Sequence, residues 1–214
     1  MTENEKYLYD HFLIDVKSGF ESLDDIIDGA IEAVEEEGWE HEISEQWIRE
    51  TFTREYEKNL QASKAWSTTT DPIRLAEVFN QLCSKDKILA VHNIGYTNAE
   101  AVYDTQDLWE QLEDEDIHPI GYCYYHGQDL ERVINDGNLL IGFSGMHENN
   151  EKEAIQIGVK VATALENAGF AVKWKNTASD RICIENFNWQ NVFTSHDEVE
   201  EKWGHDRVFQ LIKE

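Results

Sequence analysis

Two histidines stand where predicted strands give way to helices, and they carry the candidate chemistry of this chain. His92 closes an apolar run at residues 88–92, and His126 follows an aromatic run at residues 122–125. Neutral imidazole can bind a metal ion, form hydrogen bonds to a ligand, or act as acid and base near neutral pH. Asp129 follows His126 by three residues and can hold an imidazole in one tautomer. These residue types therefore allow ligand binding, acid–base catalysis or metal binding.

The elements around the histidines predict that they meet at one edge of a sheet. Apolar runs at residues 88–92, 122–125 and 139–143 are typical of buried strands, and each is followed by a helical pattern. Strand and helix thus alternate three times, which predicts a parallel core with right-handed crossovers. Because parallel strands end at the same edge, we expect the loops that follow them to form the ligand site.

Six residues in the loops after the first two strands are the ligand-binding candidates. They are His92, Asn93, Tyr96, His126, Gln128 and Asp129. The side chains of Asn93, Tyr96 and Gln128 would supply hydrogen bonds to a ligand. Asp129 also has a purely structural interpretation, because a carboxylate in the first turn of a helix interacts favourably with the helix dipole. No catalytic residue is assigned.

A metal site is a less favoured alternative. His92, His126 and His147 each follow one of the predicted strands, and three convergent histidines form one type of catalytic zinc site, with Asp129 or Glu148 as carboxylate ligand or base. No compact HxH or HxxxH spacing supports this arrangement. The sequence therefore requires no metal and no other cofactor.

The remaining periodicities complete the predicted fold. Apolar residues with helical spacing predict that residues 1–85 are entirely helical. Alternation with a period of two at residues 170–175 and 181–185 predicts an antiparallel hairpin. The fold class is therefore α/β or α+β: a parallel three-stranded βα core and a C-terminal antiparallel hairpin, preceded by an all-helical region. The predicted division is an acidic helical region at 1–85, an α/β domain at 86–190, and a tail at 191–214 that we expect to be helical.

Charge and apolar content limit the partners of the chain. It has 214 residues, with 44 acidic and 18 basic side chains and a net charge of -26. A surface this acidic repels phosphate backbones, so we expect no binding to a nucleic-acid backbone or an anionic membrane. The sequence has no apolar run of roughly 18 residues and no basic N-terminal segment of a secretory signal, which predicts a cytoplasmic protein. Three widely spaced cysteines predict reduced, packed thiols.

Four segments carry a family resemblance. They are Val-His-Asn-Ile-Gly-Tyr-Thr at 91–97, Gly-Tyr-Cys-Tyr-Tyr-His-Gly-Gln-Asp-Leu-Glu-Arg at 121–132, Gly-Phe-Ala-Val-Lys-Trp at 169–174, and Arg181-Ile182 with Phe-Asn-Trp at 187–189. From about residue 87 to residue 189 the chain resembles an uncharacterised bacterial domain family of unknown function, with Tyr-x-His-Gly-Gln-Asp as its signature.

The resemblance implies a residue set and a domain boundary, and it implies no activity. The residues that belong to the family's pattern are His92, Gly95, Thr97, His126, Gln128 and Asp129. His147 does not match that pattern, which weakens the three-histidine metal site. The helical first 85 residues and the tail after Trp189 are expected to be additions to the family's domain.

Three functional hypotheses follow. The preferred one is a cytoplasmic binding or regulatory protein that holds a small ligand or peptide at the His92 and His126 edge, while its acidic helical part meets a partner such as a basic protein. The first alternative is a hydrolase or transferase in which His126 and Asp129 act as acid and base, with or without a metal ion. The second is an acidic antagonist that masks a basic protein surface, and its binding would weaken steeply with salt.

Overall fold

The structure, a computed structural model, describes residues 1–145, 147 and 150–214. The contacts divide the chain into two units, one formed by residues 1–70 with 189–199 and the other by residues 71–188 with 200–214. Within the described residues, no helix combines the length and the apolar character that a membrane crossing requires.

The first unit contains three helices: α1 (Glu3–Ser18), α2 (Leu23–Glu36) and α3 (Glu45–Ser63). Each begins after a residue with a hydroxyl group, Thr2, Ser22 or Ser44, whose side chain accepts a hydrogen bond from the main chain of the first turn. Their apolar faces pack into one core made of Leu8, Phe12, Val16, Ile26, Ile27, Ala30, Val34, Ile43, Ile48 and Phe52. The predicted helical N-terminal region is confirmed.

The second unit contains a five-stranded mixed sheet. Its strands are β1 (Ile88–Val91), β2 (Gly121–Tyr124), β3 (Leu139–Gly145), β4 (Ala171–Lys173) and β5 (Ile182–Glu185). They lie in the order β1-β2-β3-β5-β4. Strands β1 and β2 are parallel, and β4 and β5 pair antiparallel as the predicted hairpin. The α+β class is therefore confirmed.

The predicted direction of the third strand is wrong, because β3 runs antiparallel to β2. Tyr124 at the end of β2 pairs with Gly142, and Gly121 at the start of β2 pairs with Gly145. Chain direction is not encoded in apolar periodicity. A helix that returns to the edge at which it began gives the same strand–helix–strand pattern as a crossover helix. Only the first two strands therefore form the parallel part of the predicted core.

The remaining helices are α4 (Asp71–Asp86), α5 (Asn98–Asp114), α6 (Gly127–Asp136), α7 (Glu151–Asn167), α8 (His196–Trp203) and α9 (His205–Lys213). Helices α4 and α9 pack on β1, and α7 packs on β3. The predicted division placed α4 with the N-terminal helices, whereas the contacts group it with the sheet that it covers. Two of these helices, α8 and α9, lie in the C-terminal tail.

Candidate functional site

The loops that follow β1 and β2 lie side by side at the C-terminal edge of these two strands. The main-chain N–H of Gly127 donates to the carbonyl of Gly95 at 3.0 Å, and that of Gln128 donates to the carbonyl of Tyr96 at 3.1 Å. Parallel strands deliver both loops to one edge, as the sequence indicated. The two loops therefore form a single hydrogen-bonded surface.

His92 lies inside the core rather than on this surface. Its side chain is 5% exposed, and its ring stacks on Phe79 with the centroids 4.5 Å apart. Tyr125 contacts the ring edge-on, at 5.7 Å between centroids. Burial, with a smaller contribution from His205, lowers the pKa of His92 to about 3. The imidazole is thus neutral near pH 7 and packs as an aromatic core residue.

Asp129 is fully buried in the first turn of α6, and hydrogen bonds use both of its oxygens. Oδ1 accepts from Arg132 at 2.7 Å and from Arg181 Nη1 at 3.0 Å. Oδ2 accepts from the main-chain N–H of His126 at 3.2 Å and from Arg181 Nη2. The two bonds from Arg181 form a bidentate pair. A carboxylate has about four lone-pair sites, so these bonds fill its acceptor capacity.

Arg181, immediately before β5, joins this carboxylate to His126. Its Nη1 lies 3.1 Å from His126 Nε2, and its Nη2 donates to the carbonyl of Leu140 at 3.1 Å. A guanidinium can only donate, so a hydrogen bond from Nη1 requires Nε2 to accept, and on that basis we assign the imidazole proton to Nδ1. His126 Nε2 also lies 3.2 Å from Asp129 Oδ2. Both of those atoms are acceptors in this tautomer, so the shared guanidinium holds them together.

Burial is the main cause that lowers the pKa of His126. The negative charge of Asp129 opposes this effect, and the positive charges of Arg181 and Arg132 add to it. The ring is 3% exposed and neutral near pH 7. We call His126, Asp129, Arg132 and Arg181 the Arg181 cluster.

Tyr124 of β2 and Gly142 of β3 are paired neighbours in the sheet, next to this cluster. The Tyr124 hydroxyl donates to Asn98 Oδ1 at 2.9 Å, and the Arg181 guanidinium carbon lies 5.9 Å from the Tyr124 ring centroid. Burial raises the pKa of Tyr124 to about 12, so the hydroxyl stays protonated. A Cβ at Gly142 would lie 2.5 Å from Tyr124 Cζ. The ring therefore occupies the space that a side chain at position 142 would need.

We expect Gly142→Ala to lower the free energy of unfolding by about 1 to 3 kcal/mol, because the new methyl group displaces the Tyr124 ring. Urea unfolding measures this loss. The matched comparison is the same substitution in a Tyr124→Ala background, where the cost should largely disappear. An equal cost in both backgrounds would show that the ring is not the cause.

The other predicted ligand-binding residues lie at the surface of the same edge. Asn93 is exposed and has a φ of 44°, a left-handed conformation that asparagine adopts more readily than most residues. Tyr96 is 49% exposed, and its hydroxyl donates to Glu131 at 2.8 Å. Gln128 is exposed in the first turn of α6. The structure thus brings His126 and Asp129 into contact and places His92 in the core.

His147 lies at the opposite edge of the sheet, because β3 runs antiparallel to β2. It follows Gly145, which pairs with the first residue of β2, and its Nδ1 lies 2.9 Å from Glu153 Oε2. The alternative metal site of His92, His126 and His147 is therefore wrong, and Glu148 lies outside the described residues. Across residues 1–145, 147 and 150–214, no three His, Cys, Asp or Glu side chains are placed to hold a metal ion.

Sequence reasoning missed the two arginines of the Arg181 cluster. Arg132 could have been found, since it lies three residues after Asp129 on a predicted helix, a spacing that allows an ion pair. Arg181 is 52 residues from Asp129 in the chain. Only the family resemblance included it, and that resemblance assigned it no role.

Comparison with known proteins places the chain in a family. The model of a domain of unknown function, DUF6891, matches residues 1–193. The match includes residues 1–85, so the expectation that they are an addition to the family's domain is wrong. No curated protein and no solved structure matches the chain. The expected membership of an uncharacterised domain family is confirmed, and the chain belongs to the DUF6891 family, whose domain has no known function.

Proposed function

We propose that this chain is a binding or regulatory protein that holds a small ligand on the Arg181 cluster, at the C-terminal edge of β1 and β2. One observation carries the proposal. His126 Nδ1 and Arg181 Nε are buried nitrogens without a hydrogen-bond partner among the described residues. Buried polar groups are nearly always paired in folded proteins, and an unpaired one costs about 1 to 3 kcal/mol. A ligand that pairs with these nitrogens would remove that cost.

The surroundings of the two nitrogens support binding because they hold both side chains in place. The Arg181 guanidinium is fixed by Asp129 and by the carbonyl of Leu140. The same guanidinium holds the His126 ring through Nε2. Side chains that are already oriented lose little conformational entropy when a ligand binds.

The hydrolase or transferase alternative has less support from this geometry. A general base needs a free lone pair within reach of the substrate. Both oxygens of Asp129 already accept two hydrogen bonds each, and His126 Nε2 accepts from Arg181. The remaining imidazole nitrogen, Nδ1, carries the proton. In this arrangement, neither residue offers a base.

The location and partners that we propose rest on the sequence. The free thiols of Cys83, Cys123 and Cys183 are typical of a reducing compartment, which supports a cytoplasmic location, and the family resemblance supports a bacterial source. We propose a basic protein as a second partner of the acidic helical part, and the acidic-antagonist alternative rests on the net charge of -26 alone.

Thermal unfolding with a ligand panel tests the proposed site. The panel covers nucleosides, neutral sugars, amino acids and small oxyanions, and the proteins are wild type, His126→Phe and His118→Phe. We expect at least one class to raise the Tm of wild type and of the His118→Phe control, whose substitution is at an exposed position. A ligand at one hundred times its Kd stabilises a protein by about 2.7 kcal/mol.

The His126→Phe variant keeps an aromatic ring and lacks both nitrogens, so we expect it to lose the ligand effect. Circular dichroism confirms that the variant is folded before the comparison is made. Stabilisation of His126→Phe equal to that of wild type would place the ligand elsewhere. No stabilisation of wild type by any class would contradict a small-ligand site.

A further inference from the structure

We propose that the Arg181 cluster binds a small oxyanion, a phosphate or a carboxylate group, as its ligand. This inference rests on the proposed function and adds the chemical class of the ligand. It depends on which hydrogen-bonding positions in the cluster are already used, on the charges of the side chains, and on the two helices that begin at this edge.

The unused positions of the cluster are donors. Arg181 has five N–H groups and no acceptor, and its Nε has no partner among the described residues. His126 carries its proton on Nδ1, which likewise has no partner in the described part of the chain. The acceptors of the cluster are occupied, since both Asp129 oxygens already receive hydrogen bonds. A ligand that satisfies this cluster must therefore present acceptor atoms.

The positive charge of the Arg181 guanidinium favours an anionic acceptor over a neutral one. Arg132 and Arg181 carry two positive charges, and Asp129 carries one negative charge. Glu100 also acts on His126 electrostatically, but its carboxylate accepts from the main-chain N–H groups of Tyr96 and Thr97 at 2.9 and 3.0 Å. The charges that act on His126 are thus two positive ones, from Arg132 and Arg181, and two negative ones, from Asp129 and Glu100. The preference for an anion therefore rests on the charged guanidinium of Arg181, whose Nε has no partner among the described residues. Charge-assisted hydrogen bonds are about twice as strong as neutral ones.

Two helices add to this preference. His126 is the N-cap residue of α6, and Asn98, the first residue of α5, accepts from the Tyr124 hydroxyl beside the cluster. A helix N-terminus carries a partial positive charge of about half a unit. Helix N-termini are frequent sites of phosphate and carboxylate binding. Here the buried nitrogens of His126 and Arg181 lie at such a terminus.

Binding requires a covering side chain to move, because His126 Nδ1 and Arg181 Nε are buried. The ring of Tyr96 lies over Gly127, the residue after His126, where a Cβ would be 2.7 Å from Tyr96 Cδ2. Tyr96 is half exposed, and its hydroxyl bond to Glu131 is at the surface. Tyr96 is therefore the side chain that we expect to open the path to His126.

NMR of the imidazole nitrogens tests the ligand class directly. The full-length protein, labelled with ¹⁵N in histidine, is titrated with inorganic phosphate, with sodium acetate, and with sodium chloride at matched ionic strength. We expect a saturable shift of the His126 nitrogens with phosphate or acetate, and none with chloride. The phosphate and acetate arms separate the two sources of an oxyanion. Thermal unfolding measures the same affinities in the variants.

The variants give the expected fold-changes. A hydrogen bond to a charged group contributes about 1.5 to 3 kcal/mol, so His126→Phe should weaken binding at least about tenfold. His118→Phe should leave the affinity unchanged, and Tyr96→Ala should bind at least as tightly as wild type. An adventitious ion only would raise the Tm of wild type and of His126→Phe equally, and that result would overturn the proposal. A different result would be that no oxyanion raises the Tm, while a neutral ligand raises the Tm of wild type and not that of His126→Phe. This result would overturn the oxyanion as the ligand class and would leave the proposed ligand site in place.

Discussion

The Asp129→Asn variant is expected to lose about 3 to 5 kcal/mol of unfolding free energy, because the substitution removes the charge that compensates two arginines. Asp129 is fully buried and pairs with both Arg132 and Arg181. Removing one partner of a buried ion pair leaves the other charge without compensation, and the typical cost is in this range. Arg132 and Arg181 are partly exposed, so solvent can hydrate them in part, and we expect the lower half of the range. Urea unfolding followed by circular dichroism measures the loss.

The matched control for this prediction is Asp136→Asn, which makes the same chemical change at an exposed position of the same helix. We expect it to change the unfolding free energy by less than about 1 kcal/mol. A second comparison replaces Asp129 and Arg181 together with apolar residues of similar volume, which should recover much of the loss. A loss below about 1 kcal/mol for Asp129→Asn would mean that the two arginines do not depend on this carboxylate.

The secondary structure of the chain could be predicted from its sequence because local signals agree with burial. The apolar spacing of α2 and the hydroxyl of Ser22 that begins it identified that helix. The alternation around Val172 and Ile184 identified the hairpin, in which these two residues are paired neighbours. Strand direction could not be predicted in the same way. Apolar periodicity reports which face of an element is buried, and β3 buries its residues equally well in either direction.

Only the local contacts of the candidate site could be predicted from the sequence. His126 and Asp129 were identified because their contact is local, within the first turn of one helix. His92 lies in the expected loop, but a histidine at the end of a buried strand can turn into the core or out of it, and the sequence does not show which. Arg181 comes from a distant part of the chain and enters the site because β5 pairs with β3. Its role depends on the register of that pair, which no local pattern encodes.

In the proposed function, the Arg181 cluster both connects elements of the second unit and binds the ligand. Arg181 connects the hairpin to α6 through Asp129 and to β3 through the carbonyl of Leu140. A ligand at His126 would add an acceptor to a network that already joins three elements. Ligand binding should therefore stabilise the second unit as a whole, because cooperative unfolding would have to break the added bonds as well.

The stability of the wild-type protein is expected to fall in acid more steeply than that of His92→Leu. The pKa of His92 is about 3 in the folded protein and about 6.5 in an unfolded chain. Below pH 6.5 the unfolded chain therefore binds a proton that the folded protein does not bind until near pH 3. The stabilising contribution is complete above pH 6.5 and is lost as the pH falls towards 3. Between pH 8 and pH 4.5, the loss specific to His92 is about 2.7 kcal/mol.

Leucine has a volume similar to that of histidine and cannot bind a proton, so His92→Leu should keep the packing on Phe79 and lack this loss. Both ring nitrogens of His92 have no hydrogen-bond partner among the described residues, so the variant should also be about 1 kcal/mol more stable than wild type at pH 8. Urea unfolding at pH 8, 6.5, 5.5 and 4.5 measures the difference, which should widen with acid. The control, His118→Leu at an exposed position, should follow wild type. A constant difference between wild type and His92→Leu across this range would mean that the pKa of His92 is the same in the folded protein and in the unfolded chain. The ring would then have to be accessible to solvent at the sheet edge.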